Sequence, residues 1–466
     1  MRAFIEASEQ QMLQDLSDFI RIPTVCGAAE EKAPYGVEIQ RGLLFLEKLA
    51  DSMGFYTINH EFQTLEIQAG DLSASYKDSI GIVCHLDVVP AGEGWEREPF
   101  EPVIQDGRLY GRGSLDDKGP IIACMYAMKY LMDQNLIPPG RRICMIVGTD
   151  EEEGFGGIKY HGEHCQFPAF SFIPDASFPL IYGEKGMLDF DLTYPLGRRE
   201  TPLCLKELSG GDGRNMVPSW AACRITGAEA DLRAAAETLR KTAAVSNIQV
   251  EIKTDQAGIA LQVKGKSAHS MSPEKGVSAI SELIRLLVDV GSRLDEYEFV
   301  RLYDQSIRNF HGTGLEIACA DEQSGPLTLN IGTIGQGEDF RMQANIRYPM
   351  TCNPEETCRH IQEQFEGAGF SYTVTEHLAP VNFSKEDPWL QKLLAAYREV
   401  TGDMDTAPIT ISGATYTRFV PNSVAFGPVY ADQEELAHEP NEYLEIKQLK
   451  DVTKIYGKAL ENLLTQ

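Results

Sequence analysis

The sequence is poor in basic residues and lacks the apolar segments of secreted or membrane-spanning proteins. Its 466 residues include 42 Lys and Arg against 69 Asp and Glu, which gives a formal net charge of −27 at pH 7. Such a surface repels phosphates and anionic lipids, so nucleic acid and membranes are not expected as partners. No run approaches the ~20 apolar residues that span a bilayer. The segment Met1–Gln10 has acids and no apolar core, unlike a signal peptide, and we expect a soluble cytoplasmic protein.

The sequence also lacks any Cys-x-x-Cys pair, although it contains ten cysteines. They occur singly, often inside apolar runs such as Gly81–Cys84 and Ile121–Cys124. A disulfide framework or a cysteine-rich zinc site would need a different spacing. We therefore predict free, mostly buried thiols in a reducing compartment.

The chain is too long for one ordinary core, so two domains are expected. The first part alternates helix and strand, which predicts an α/β domain. Helical spacing is seen from Ile39 to Met53, and Pro120 begins a second helical stretch. Buried strands are predicted at Ser79–Cys84, Arg142–Val147 and Phe170–Ile173.

The pattern of predicted elements changes after Gly186. Separate strand-like segments and helices there indicate an inserted α+β domain. The predicted strands and helices there are Leu188–Tyr194, Ile248–Lys253, Ile259–Lys264, Phe340–Tyr348, Ser278–Asp289 and Pro354–Phe365. The tail returns to helix at Pro388–Val400, strand at Ser423–Phe426 and helix at Tyr443–Leu464. We expect residues 1–185 and 384–466 to form one domain, with 186–383 as the insertion.

Two histidines and three carboxylates suit two borderline divalent ions that share one bridging carboxylate. They are His85, Asp116, Glu152, Asp175 and His438. His85, Glu152 and Asp175 follow predicted strands, where open α/β sheets place their sites. Such a site makes hydroxide at neutral pH and indicates a hydrolase. Each motif taken alone fits an ordinary surface or a strand-end polar residue equally well or better.

Neighbouring polar residues suggest further roles. Asp87 lies on the same face as His85, so its carboxylate can accept from the second ring nitrogen. Asp117, beside Asp116, is by itself expected to belong to a solvated acidic turn. Within Glu151-Glu-Glu153 consecutive side chains diverge, so Glu152 can bind metal while Glu151 acts as a general base.

Three residues of the inserted domain are candidates for substrate contacts. His269 could stabilise an oxyanion, or cap a turn at the surface. Arg347 could bind a substrate carboxylate, or pair with one of the many acids. Asn215 could donate its amide to the substrate, or simply occupy a turn.

In order along the chain, these segments resemble the zinc metallopeptidase family of carboxypeptidase G, acetylornithine deacetylase (ArgE), succinyl-diaminopimelate desuccinylase (DapE) and aminoacylase. The nearest likeness is to its PepV-type dipeptidase branch. The matching segments are His85–Pro90, Gly111–Pro120, Gly148–Gly154, Pro174–Pro179, Gly183–Gly186, Asn215–Pro218 and Gly265–Ser270.

The resemblance implies a phosphorylase/hydrolase-like zinc-peptidase catalytic domain with an inserted α+β, ferredoxin-like lid. Asp116 resembles the bridging carboxylate, followed by a cis peptide bond. His85 and Asp175 complete one metal site, and Glu152 and His438 complete the other. The expected ions are two Zn²⁺, with Mn²⁺ or Co²⁺ as alternatives.

The same resemblance assigns the remaining roles. Glu151 resembles the general base, Asp87 the partner of the metal-bound histidine, and His269 the lid histidine at the oxyanion. Residues resembling the substrate-binding set are Asn215, Arg347 and Gly413. The PepV-type branch supplies its lid histidine in cis, which implies a functional monomer acting on dipeptides.

One segment departs from the family pattern. Ser412-Gly-Ala-Thr-Tyr-Thr-Arg418 stands where a glycine-rich turn is expected, and Ala414 and Thr417 would narrow the pocket. Side-chain preference, including any for β-alanyl dipeptides, is therefore left open. An N-acyl-amino-acid deacylase, a carboxypeptidase acting on longer peptides, and a non-catalytic metal-binding relative remain alternatives.

Overall fold

A computed structural model describes residues 1–197, 199–246, 248–434 and 436–465. The helices are α1 (Arg2–Ile20), α2 (Val37–Met53), α3 (Lys118–Asp133), α4 (Gly156–His164), α5 (Glu229–Ala244), α6 (Ala279–Val290), α7 (Tyr297–Leu302), α8 (Pro354–Gly367), α9 (Pro388–Thr401) and α10 (Ile446–Leu464).

The strands up to Glu184 are β1 (Tyr56–His60), β2 (Thr64–Gly70), β3 (Ser79–His85), β4 (Val103–Gln105), β5 (Arg108–Tyr110), β6 (Arg142–Gly148), β7 (Phe170–Ile173), β8 (Ala176–Ser177) and β9 (Ile181–Glu184). The following strands are β10 (Gly186–Pro195), β11 (Leu203–Gly210), β12 (Trp220–Gly227), β13 (Gln249–Asp255), β14 (Gly258–Lys264), β15 (Ala320–Asp321), β16 (Gly325–Pro326), β17 (Thr328–Gln336), β18 (Asp339–Tyr348), β19 (Ser371–Leu378), β20 (Val381–Asn382), β21 (Ile409–Ile411), β22 (Ser423–Ala425), β23 (Pro428–Val429) and β24 (Tyr443–Glu445).

The chain divides into two compact units. The first contains Met1–Gly183, Phe383–Thr410 and Ala414–Gln466, and the second contains Glu184–Asn382 and Ile411–Gly413. Residues far apart in sequence therefore meet in the first unit, because the chain leaves it and returns.

The sheet of the first unit contains strands in the order β1-β2-β6-β3-β7-β22-β9. At its centre β3 runs parallel to both β6 and β7, and β22 continues the parallel run beside β7. Every residue of β3, β6 and β7 is buried. This is the pattern of parallel strands covered on both faces, and it confirms the prediction of an α/β domain.

The second unit is built on an antiparallel sheet with the order β13-β14-β12-β11-β17-β18-β10-β19. Its apolar core joins strand residues such as Leu188 and Ile346 to helix residues such as Leu283 of α6 and Phe365 of α8. Helix α6 is capped by Ser278, whose side chain accepts a hydrogen bond from the Ser281 N–H. The unit therefore has the predicted α+β composition.

Two sequence-based expectations were wrong. The helix predicted from Tyr443 begins at Ile446, because Tyr443–Glu445 pairs with β5 as the strand β24. All ten cysteines are free, as expected, but only Cys84, Cys124, Cys144 and Cys223 are buried and the other six are half-buried. Within the described ranges, no helix is both long and apolar enough to cross a membrane.

Candidate metal centre

Three of the predicted ligands lie at one edge of the first unit's sheet. His85 is the last residue of β3, Glu152 follows β6, and Asp175 follows β7. Because β3 runs parallel to β6 and β7, these strand ends lie side by side. Loops supply the other two: Asp116 precedes α3, and His438 precedes β24.

The five side chains form two groups that share Asp116. His85 Nε2 lies 3.0 Å from Asp116 Oδ1 and 3.6 Å from Asp175 Oδ2. His438 Nε2 lies 3.3 Å from Asp116 Oδ2 and 2.9 Å from Glu152 Oε2. Each oxygen of Asp116 thus faces a different group. The Asp116–Asp117 peptide bond is cis, as the family resemblance predicted.

The donor set fits two divalent ions. Ligand atoms held at about 2.1 Å from one zinc ion lie about 3 to 3.5 Å from one another. The histidine-to-carboxylate separations in the two groups, 2.9 to 3.6 Å, fall close to that range. Each group offers one imidazole nitrogen and carboxylate oxygens. Three carboxylates facing two histidines also leave an excess of negative charge, which cations would neutralise.

The hydrogen bond on the other side of the His85 ring supports the same conclusion. His85 Nδ1 lies 3.0 Å from the backbone carbonyl oxygen of Asp87 and donates its proton there. In a neutral ring Nε2 then carries a lone pair, which points toward the Asp116 and Asp175 carboxylates. Two sets of lone pairs facing each other need a cation or a proton between them.

Asp87 contacts the His85 ring and the Glu152 turn through different atoms. Its Oδ1 lies 3.6 Å from His85 Nδ1, beyond a good hydrogen bond, whereas the Asp87 carbonyl oxygen is the nearer acceptor. The carboxylate Oδ2 instead accepts from the Glu152 N–H at 3.1 Å. Asp87 therefore fixes the His85 ring through its backbone and the Glu152 turn through its side chain.

The carboxylates at this edge of the sheet strongly affect one another's pKa values. Burial raises the pKa of Glu151 well above its usual range, and the charges of Asp175 and Glu152 add to the effect. Burial and the Asp116 charge raise the pKa of Glu152 to about 7. Hydrogen bonds to Asp116 and Glu152 raise the pKa of His438 to about 11. Bound cations would oppose these shifts of the carboxylates by favouring their charged forms.

Sequence reasoning missed residues that support the centre. Asp117 is buried, not solvated, and its Oδ2 accepts the His85 N–H at 3.2 Å. The buried Glu442 carboxylate accepts from the N–H groups of Gly113, Leu115 and Asp116 at 2.9, 2.8 and 3.2 Å. Asp117 lies in the matched segment Gly111–Pro120. The contacts of both residues could still not be predicted, because their partners come from distant segments.

The second unit brings its own candidates together. Asn215 and His269 lie on adjacent segments, since the Ser270 N–H donates to the Asn215 carbonyl at 2.8 Å. Asn345 connects this pair to Arg347: its Oδ1 accepts from Ser270 Oγ at 2.9 Å and from Arg347 Nε at 3.3 Å. Gly413 belongs to the same unit, in the turn after β21.

The hydrogen bonding of His269 sets the position of its proton. Its Nδ1 accepts from the Met271 N–H at 3.2 Å. The neutral ring therefore carries its proton on Nε2, which makes that atom a hydrogen-bond donor.

The chain matches a known peptidase family. The model of peptidase family M20/M25/M40 matches residues 81–462. The chain belongs to this peptidase family, in agreement with the predicted resemblance, and it has the family's mixed α/β fold.

Individual relatives extend over the full length. A protein of Staphylococcus saprophyticus named "Putative dipeptidase SSP1012" is 33% identical over 472 residues, which cover 99% of each chain. Among solved structures, human carnosine dipeptidase 1 aligns with a TM-score of 0.57 at 16% identity, covering 100% of this chain and 98% of its own. The dipeptidase Dug1p of Saccharomyces cerevisiae aligns with a TM-score of 0.56 at 16% identity, with the same coverage. These two likenesses concern the fold.

Proposed function

We propose that this protein is a metal-dependent dipeptidase that hydrolyses the peptide bond of unblocked dipeptides. The observation that carries the proposal is the position of Asp116, whose two oxygens face two separate groups of histidine and carboxylate donors. The full-length likeness to relatives named as dipeptidases supports the choice of substrate.

The ligands in this proposal are His85 and Asp175 for one ion, Glu152 and His438 for the other, and Asp116 for both. Imidazole and carboxylate donors suit Zn²⁺, and Mn²⁺ or Co²⁺ would accept the same atoms. When bound, such ions acidify water and polarise a carbonyl.

Glu151 is proposed as the general base. Its half-buried side chain follows the same strand as Glu152, and burial and its acidic neighbours favour proton uptake. Glu151 would accept the proton of the attacking water and then donate it to the leaving amine of the dipeptide. One side chain would thus serve both proton transfers.

The second unit is proposed to hold the substrate. His269 Nε2 carries a proton and would donate it in a hydrogen bond to the developing oxyanion. Arg347 would bind the free carboxylate of the dipeptide with two N–H groups, and Asn215 and Gly413 would contact its backbone. The connection of Asn215, His269 and Arg347 through Asn345 supports their acting as one group.

We further propose a monomer of the reducing cytoplasm in which His269 acts on the site of its own chain. The free cysteines support the compartment. The excess of acidic residues supports a small-molecule substrate in place of nucleic acid or anionic lipid.

The test is hydrolysis of a small panel by protein reconstituted with Zn²⁺, Mn²⁺ or Co²⁺. The panel contains free dipeptides including β-alanyl-histidine, N-acetyl amino acids and a tripeptide, with chelated protein as the control. Cleavage of the free dipeptides alone, lost on chelation, is the expected result. Cleavage of only N-acetyl substrates would make the protein a deacylase, and cleavage of the tripeptide alone would contradict the dipeptidase proposal.

Paired variants test the role of Glu151. Glu151→Gln should bind metal normally and lose about 100- to 10,000-fold in kcat. Glu153→Gln is the matched control, because Glu153 is the exposed acid of the same turn and should keep near-normal turnover. Equal activity in the two variants would overturn the assignment.

A further inference from the structure

A second cluster of metal-ligand side chains lies in the first unit, where the β1–β2 hairpin meets the end of α4. His60 ends β1, His161 lies on α4, and Cys165 follows that helix directly. One ligand atom from each lies within 4.8 Å of the other two. None of the three belongs to the candidate centre at Asp116.

The His60 ring is oriented as a metal-binding histidine would be. Its Nε2 lies 3.0 Å from Oε1 of the buried Glu66, and its Nδ1 lies 3.3 Å from Cys165 Sγ. The carboxylate fixes the proton on Nε2 and leaves the Nδ1 lone pair facing the thiol. A carboxylate behind the ring is the usual support of a ligating histidine.

His161 presents its remaining nitrogen to the same place. Its Nδ1 is hydrogen-bonded to Thr64 Oγ1 at 3.0 Å. Its Nε2 is buried and has no hydrogen-bond partner within 3.5 Å among the described residues; Glu66 Oε1 is 3.8 Å away, and the Gln166 backbone makes only a weaker interaction with the ring. A buried polar atom without a partner is costly, and a bound ion would satisfy it.

We propose that His60, His161 and Cys165 bind a third metal ion, zinc or another borderline divalent ion, separate from the two at Asp116. Two imidazoles and one thiolate are soft enough for zinc and poorly suited to magnesium or calcium. The 3.3 Å between His60 Nδ1 and Cys165 Sγ already fits the spacing of two zinc ligands. All three atoms lie within 4.8 Å of one another, so a shift of at most about 1.5 Å would bring the third to that spacing.

The role of this ion would be structural. It would join the turn after β1 to the C-terminal end of α4, two segments about a hundred residues apart in sequence. The Glu151–Gly154 turn immediately precedes α4, so the ion would also hold the far end of the helix that follows the candidate catalytic turn.

Cobalt substitution gives a readout that does not depend on peptidase activity. Cobalt with a thiolate ligand shows a near-ultraviolet charge-transfer band, which cobalt bound only by nitrogen and oxygen lacks. We expect the band in the full-length protein and its loss in Cys165→Ser and in His60→Gln. Each variant should also bind one equivalent of Zn²⁺ fewer per chain by native mass spectrometry.

The controls are chosen to locate the thiolate. Cys26 Sγ lies 4.0 Å from Asp87 Oδ2 near the candidate catalytic centre, so Cys26→Ser should keep the band. His164→Gln is the control for His60→Gln and should keep the band, because His164 is an exposed residue of α4. Far-ultraviolet circular dichroism checks that the variants fold.

Two results would overturn the proposal. One is the same zinc stoichiometry in the wild type and both cluster variants, with no thiolate band. The other is loss of the band in Cys26→Ser and its retention in Cys165→Ser, which would place the thiolate at the Asp116 centre.

Discussion

The Arg112 guanidinium and the Glu442 carboxylate form a buried ion pair, with Nη1 and Oε2 2.9 Å apart. Glu442 also accepts the Asp116 N–H at 3.2 Å, and Arg112 Nη2 donates to the His438 carbonyl at 3.2 Å. The pair therefore connects the loops of two candidate ligands that are more than 300 residues apart in sequence. Its hydrogen bonds fix the spacing of Asp116 and His438.

Glu442→Gln should damage both stability and metal binding. Removing one charge of a buried pair leaves the other unbalanced and costs about 3 to 5 kcal/mol of the free energy of unfolding. Denaturant unfolding measures the loss of stability, and zinc titration should show weaker binding. Glu445→Gln is the control, because its partner Arg108 is 3.4 Å away and both side chains are well exposed. Equal effects of the two substitutions would contradict the view that the Arg112–Glu442 pair holds the loops of Asp116 and His438.

His269→Gln should lower kcat by about 100- to 1,000-fold, because it replaces the proposed oxyanion donor with a group of different reach. Metal content and thermal stability should stay near those of the wild type. His360→Gln, at an exposed histidine of the same unit, should leave kcat unchanged. An unchanged kcat in His269→Gln would remove this residue from the reaction.

Mixing inactive variants tests whether His269 acts on its own chain. If the lid histidine came from a partner, Glu151→Gln mixed with His269→Gln would regain activity through mixed dimers with one intact site. The monomer proposal predicts no recovery at any ratio, and a single small species in analytical ultracentrifugation. Recovery of activity approaching a quarter of the wild type in an equal mixture would instead establish an exchange between chains.

Gly148→Ala should distort the strand that leads to Glu151. A Cβ at Gly148 would lie 2.3 Å from Tyr416 Oη and 2.8 Å from its Cζ, and Tyr416 is buried. Overpacking of this kind costs about 1 to 3 kcal/mol of the free energy of unfolding. Gly335→Ala is a suitable control, since a Cβ at this strand position meets nothing within 4 Å. Calorimetry should show a lower Tm for the Gly148 variant only.

The zinc-free protein should lose stability with acid partly through His161. Burial lowers its pKa to about 4 from 6.5, against the opposing effect of the Glu66 carboxylate and the Gln166 carbonyl. The unfolded chain then takes up this proton first, so stability present above pH 6.5 is lost as the pH falls toward 4. The full loss is about 1 to 3 kcal/mol.

His161→Gln should therefore flatten the curve of unfolding free energy between pH 6.5 and 4, measured by denaturant titration. Below pH 4.5 the wild type and the His161→Gln variant should both lose stability. Burial disfavours ionised Glu66, but hydrogen bonds from His60, Tyr76 and Gln68 outweigh it and lower its pKa to about 2. Parallel curves over the whole range would contradict the role of His161.

The sequence predicted the parallel strands β3, β6, β7 and β22 of the first unit, because they are continuous apolar runs with clear ends, but it did not predict β1, β2 and β9. The run Ser79–Cys84 is the buried strand β3, and Arg142–Val147 is β6. The start of α10 was predicted at Tyr443 and lies at Ile446, because Tyr443–Glu445 pairs with β5. Sequence periodicity does not reveal such a contact between distant segments.

The candidate ligands could be named because each lies in a recognisable motif, and the structure brings those of the first unit together. The roles of supporting residues such as Glu442 and Asp117 could not be predicted, because they depend on backbone N–H groups of other segments. The same limit applies to His60, which looks like an ordinary strand-end residue until α4 is folded beside it.

The strand β22 lies between β7 and β9, although it is made of residues 423–425. A chain emerging from the ribosome therefore has a gap in the sheet of its first unit until residues 423–425 have been synthesised. His438 emerges later still, so the Asp116 centre lacks one of its five side chains until the segment after β23 has been made. Order of synthesis alone would delay loading of that centre until His438 has left the ribosome.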